Sequence, residues 1–153
     1  MIAISLLGGE MKIASMISGK HPETISASAT LHDLVSALRN HHIGALVVSP
    51  DGKHIQGIVS ERDVVRAMPN RLDQLMNMHV SDIMTSDVHT CTPDASVAEI
   101  MTMMTELRVR HVPVVNADGT LLSIVSIGDV VKRHVDELDS ERIALLEYVS
   151  ISH

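Results

Sequence analysis

Gly57-Ile58-Val59-Ser60-Glu61-Arg62-Asp63-Val64-Val65 returns later in the chain as Ser123-Ile124-Val125-Ser126-Ile127-Gly128-Asp129-Val130-Val131. In each copy an apolar stretch runs into Ser-x-x-Asp and then into apolar residues at helical spacing. That is the pattern of a strand turning into a helix. The spacing that takes Ser60 to Ser126 carries upstream: Thr24 matches Thr90, Leu31 matches Val97 and Leu34 matches Ile100. Val47-Val48 and Asp51-Gly52 match Val114-Val115 and Asp118-Gly119 one position further on. This predicts one extra residue before the central strand of one half, lost again after the turn. The chain is an internal repeat.

Each half has the same elements. A short leading segment, Ile13 to Ile17 or Val80 to Met84, comes first. An extended stretch follows around Thr24-Ile25, or Val88 to Thr90. An amphipathic helix then buries Leu31, Leu34, Val35 and Leu38, or Val97, Ile100, Met101 and Met104, at i, i+3, i+4, i+7. A strand at Ala45 to Val48, or Val112 to Val115, leads to an Asp-Gly turn, a hairpin signal. A second strand, Ile55 to Val59 or Leu121 to Val125, leads to a helix starting at Ser60 or Ser126. The order is β-α-β-β-α twice, an α/β (α+β) class. The spacing predicts an N-terminal extension over 1–10, repeats over 11–68 and 80–137, a linker over 69–79 with Pro69 stopping the helix before it, and a terminal helix and tail over 138–153.

Of the 153 residues 45% are hydrophobic, enough for one shared core. One Tyr and no Phe or Trp leave Val, Ile, Leu, Met and Ala to build it, and offer no platform for stacking bases. A net charge of -7 disfavours nucleic acid and anionic membranes as partners. The single Cys91 excludes an intrachain disulfide and a cysteine-rich zinc site. No apolar run reaches the ~20 residues that span a bilayer, and Met1 to Leu7 lacks a basic leader, so the expected compartment is the cytoplasm. The ten histidines show no ligand spacing on one helix, which predicts no metal site. No G-x-S-x-G elbow supports Ser60 or Ser126 as a nucleophile, so no catalysis is expected.

The repeated Ser-x-x-Asp has two readings. Serine with an acid three residues on resembles a capping box, with Asp a short substitute for Glu. The same corner also places free N–H groups, a hydroxyl and a carboxylate together, and these suit phosphate and ribose hydroxyls.

The chain resembles a pair of cystathionine β-synthase (CBS) domains, a tandem called a Bateman module, over about residues 11–137. The marks are the G-h-x-S-x-x-D corner (with Ser123 for Gly in the second copy) and Arg110-His111-Val112-Pro113-Val114-Val115. Ile43-Gly44-Ala45-Leu46-Val47-Val48 and Val80-Ser81-Asp82-Ile83-Met84-Thr85 also fit. The versions S-E-R-D and S-I-G-D look like those of small bacterial stand-alone CBS-pair proteins. The resemblance implies repeats packed sheet to sheet about a pseudo-two-fold axis, with AMP, ADP, ATP, S-adenosylmethionine or NAD(H) bound in clefts between them.

By that resemblance Asp63 and Asp129 hold ribose, Ser60 and Ser126 lie near phosphate, and Thr24 and Thr90 face base or ribose. Gly44, Ala45, His111 and Val112 frame adenine through backbone groups. Arg62 meets phosphate in one cleft, and Arg110 and His111 in the other. Lys20 is a further cation, and Gly128 permits close backbone approach. Sparse basic charge favours AMP or a dinucleotide over polyphosphates. The expected function is a regulatory sensor for signal transduction, a homodimer through helix faces that include Met101 to Met104, with a regulated protein as further partner. The alternatives are a structural dimerisation scaffold with empty clefts, and a redox sensor reading NADH against NAD.

Overall fold

Polar residues start the helices, and their caps set the architecture. Thr30 precedes α1 (Leu31–His41); its hydroxyl accepts from Asp33 N–H while the Asp33 carboxylate accepts from Thr30 N–H. Ser96 does the same with Glu99 at the start of α4 (Val97–Leu107). These reciprocal bonds satisfy orphan N–H groups of the first turn. The structure is a computed structural model that describes residues 10–17, 19 and 21–152. Residues 1–9 of the expected extension, and Lys20, lie outside the described residues.

The other elements are β1 (Thr24–Ile25), β2 (Ala45–Val48), β3 (Gly57–Ser60), α2 (Glu61–Arg71), α3 (Val80–Ile83), β4 (His111–Val115), β5 (Leu121–Ser126) and α5 (Ile127–Ile151). The class is mixed α/β with two repeats, as expected. By contacts the described residues divide differently: those of 19–90 with 113–124 form one compact unit, and 10–17, 91–112 and 125–152 the other.

In the first unit β1 pairs parallel with β2, and β2 antiparallel with β3, Ala45 opposite Ser60. Leu31, Leu34 and Leu38 of α1 pack with Leu46, Val48, Val59, Val64, Leu75 and Val80 in one buried cluster. Val35, expected on this face, is 39% exposed at its edge. The first hairpin turn meets the tip of the second, where Leu121 N–H donates to the Lys53 carbonyl at 2.8 Å. In the second unit α4 packs on α5, with Val97, Ile100, Met104 and Val130 buried.

The leading segments are exchanged between repeats. Leu31 N–H donates to Met78 C=O, and Val80 N–H to Ala29 C=O, both at 2.8 Å. Reciprocally, Val97 N–H donates to Met11 C=O at 2.9 Å, and Ile13 N–H to Ala95 C=O at 2.8 Å. Thr30 bridges His79, and Lys12 bridges Ser96. Each segment expected to lead its own repeat therefore closes the helix start of the other.

Three expectations are corrected. No strand forms over 88–90, so among the described residues the second sheet contains β4 and β5 alone. Pro69 does not stop α2 but lies inside it, in the last turn. A proline there removes one N–H, and with the helix ending two residues later only one intrahelical bond is forfeited. The terminal helix is not a separate element: α5 runs unbroken for 25 residues, because 136–142 contains no Gly or Pro and its charges fit a solvated helix face.

Candidate functional site

The corner of the first repeat forms where β3 meets α2. Asp63 Oδ2 accepts from Ser60 N–H at 2.8 Å and from Ser60 Oγ–H at 3.0 Å. Glu61 N–H donates back across the sheet to the Gly44 carbonyl at 3.0 Å. Gly44 and Ala45 thus lie beside Ser60, since Ala45 is also its ladder partner. Arg62 follows in the first turn of α2, half-buried. Thr24 pairs with Val47 on the neighbouring strand and so sits two residues along the sheet from Ala45, roughly 8 Å away.

The second corner repeats this chemistry at the start of α5. Asp129 Oδ2 accepts from Ser126 Oγ–H at 2.8 Å and from Ser126 N–H at 3.3 Å. Asp129 N–H donates to Ser126 Oγ at 3.2 Å, so the capping box closes fully here. Ile127 N–H donates to the Arg110 carbonyl at 2.8 Å. This bond places Arg110 where Gly44 stands, and His111 where Ala45 stands. At the corner Gly44 and Arg110 thus keep the spacing of Ser60 and Ser126.

Arg110 is exposed, His111 half-buried and Val112 buried. Thr90 is exposed and belongs to the other compact unit. A Cβ on Gly128 would meet nothing nearer than Ser126 Oγ at 3.8 Å, so the fold itself does not require glycine there.

In both corners the cap bonds on the carboxylate fall on Oδ2. Oδ1 is left as an acceptor, next to the N–H groups and positive dipole end of a helix of 11 or 25 residues. That combination can hold a diol through the carboxylate and an anion through the N–H groups.

The glycine that opens the first motif has a packing reason that sequence reasoning missed. Ile58 and Thr85 exchange two backbone bonds of 2.9 Å, which draws residues 84–85 across β3. A Cβ on Gly57 would lie 2.9 Å from the Thr85 carbonyl and 2.8 Å from Met84 Sδ. The available signal was the glycine itself, in a strand where a side chain would ordinarily pack.

Titration is shifted away from the corners. Backbone and ring N–H groups of His54, with Lys53 N–H, hold the Asp51 carboxyl well below the usual range at the first hairpin turn. Thr120 lowers Asp118 in the equivalent turn. Burial pushes the Cys91 thiol up to about 11. Among the described residues no group of three or more His, Cys, Asp or Glu could hold a metal, and no helix is long and apolar enough to cross a membrane.

A family model for the CBS domain matches twice, over residues 14–70 and 80–136. The chain belongs to the CBS-domain family. A mitochondrial CBS domain-containing protein of Arabidopsis thaliana is 37% identical over 124 residues, covering 78% of this chain. The chain spans 60% of that relative's length. The crystal structure of a CBS-domain-containing protein from Agrobacterium tumefaciens is similar at a TM-score of 0.75 and 32% identity, over 81% of this chain and 99% of that one. A CBS-domain protein from Pyrobaculum aerophilum, solved in complex with AMP, is similar at a TM-score of 0.70 and 27% identity, over 78% and 89% of the two chains. The two corners are thus the strand-to-helix junctions of two CBS repeats.

Proposed function

We propose that this CBS pair is a regulatory, non-catalytic module that binds an adenine nucleotide, AMP in preference to ADP, ATP, NAD(H) or S-adenosylmethionine. One observation carries the reading. Both repeats build the same corner, with a serine, a carboxylate whose Oδ1 remains an acceptor, and a helix N-terminus. The AMP complex of the Pyrobaculum aerophilum protein supports the choice of ligand. Asp63 and Asp129 hold the ribose hydroxyls and Ser60 and Ser126 lie near phosphate. Gly44, Ala45, His111 and Val112 frame the base, and Thr24 and Thr90 contact base or ribose. Arg62, Arg110 and Lys20 supply positive charge. The ligand lies in clefts between the repeats and shifts the balance between two arrangements by its differential affinity for them. Two copies pair through helix faces that include Met101 to Met103, Met104 being buried within its own chain, and the cytoplasm is the expected compartment.

The capping bonds at Ser126 and Asp129 favour a second reading, a scaffold in which the motif serves the helix alone. Calorimetric unfolding with AMP, ADP, ATP, NAD, NADH, S-adenosylmethionine and guanosine monophosphate separates the two. At ~100 times its Kd a ligand stabilises by about 2.7 kcal/mol, a shift of several degrees. A shift with AMP and none with the guanosine control is expected. Unchanged midpoints with every adenine ligand would leave the scaffold.

A further inference from the structure

The closing helix of the second repeat carries an apolar stripe that the described residues of its own chain leave uncovered. The inward side of α5 runs through Val130, His134, Glu137 and Ala144, all buried or half-buried. The neighbouring stripe is Val131, Val135, Leu138, Arg142, Leu145 and Val149, spaced 4-3-4-3-4, the repeat of a coiled-coil seam. Its apolar members are 41%, 49%, 51%, 56% and 58% exposed in chain order. From Val131 to Val149 the stripe is about 27 Å long.

We propose that this stripe pairs with the same stripe of a second copy, antiparallel, about a two-fold axis at the level of residue 140. The stripe is symmetric about that point. Val131 and Val149 lie nine positions either side, Val135 and Leu145 five, and Leu138 and Arg142 two. An antiparallel pair therefore layers Val131 on Val149, Val135 on Leu145 and Leu138 on Arg142, four of the six layers wholly apolar.

The charges choose the direction. In a parallel pair the two Arg142 side chains would share one layer and repel. In the antiparallel pair each Arg142 lies over a Leu138, with Asp139 and Glu141 of the other copy one and three residues further in the direction of the axis, which offer it carboxylates. The pairing does not depend on whether a nucleotide binds.

The test uses the full chain with Cys91→Ala, carrying either Val135→Cys or Leu145→Cys on tags of different size, treated with a short bismaleimide. The antiparallel pair predicts a cross-linked product in the mixture, and little from either variant alone. Products from each variant alone would show a parallel pair and overturn the proposal. So would a dimer by sedimentation without cross-links at these positions, or a monomer at every concentration. Sedimentation of Arg142→Glu gives an independent readout that leaves the apolar layers intact. Self-association should weaken roughly tenfold or more, and an unchanged dissociation constant would also overturn the proposal.

Discussion

At Gly57 a single methyl group is the difference between a chain that can cross and one that cannot. Gly57→Ala would press a Cβ against the Thr85 carbonyl, which two backbone bonds hold in place. We expect a loss of about 1–3 kcal/mol in urea unfolding, the usual cost of overpacking. Gly128→Ala is the opposite case. The space is open and alanine is the better helix former, so stability should hold or rise by a few tenths of a kcal/mol. A nucleotide seated against that turn would nevertheless lose affinity, readable as a smaller AMP-induced shift in Tm.

Asp63→Asn and Asp129→Asn retain an acceptor for the serine N–H, so each should cost no more than about 1 kcal/mol. Their combined effect on the AMP shift should be complete loss. Asp51 stabilises through its lowered pKa above the usual carboxylate range, and that contribution fades as pH falls through and below it. Asp33 and Asp118 act in the same direction. Asp51→Asn should therefore flatten the loss of stability below pH ~4, measured by circular dichroism.

Helices and hairpins were the most legible elements. The i, i+3, i+4, i+7 rows placed Leu31, Leu34 and Leu38, and the Asp-Gly pairs placed both turns, where Gly52 and Gly119 take positive φ. These signals are local, and local chemistry decides them. Val88 to Thr90 failed as a strand because its apolar residues are too few to impose an alternation. Pro69 misled because a proline is tolerated in a last turn, close to carbonyls that already lack partners. Helices α1 and α4 each end on a left-handed residue that is not glycine, His42 in one case and Arg108 in the other. Glycine at either site should raise stability by roughly 0.5–1 kcal/mol in thermal unfolding.

Across the whole molecule, the repeat and the two corners were readable because identical residues recur at fixed spacing. The exchange of leading segments was not, because nothing in Met11 to Ile13 or Met78 to Val80 says which helix start they close. Only tertiary structure distinguishes a partner in the same repeat from one in the other. The exchange predicts that residues 11–68 alone will not fold. The bonds from Leu31 N–H to Met78 and from Val80 to Ala29 would be missing, with buried Leu75 and Val80 absent from the core. Circular dichroism of that fragment should show little helix, and adding a fragment over 69–153 should restore it.

That exchange also sets a timetable for synthesis. A chain emerging from the ribosome presents Met11 and Ile13 ahead of the first repeat's helices, yet their partners, Val97 and Ala95, are made only after the whole first repeat. At ~5–20 residues per second this segment waits several seconds without its partner. The cluster around α1 can be completed once Val80 has cleared the exit tunnel. A stretch translated before the first repeat's helices is thus among the last of these segments to find its place, and slowing translation between Val80 and Val97 lengthens the interval in which it is open to proteolysis.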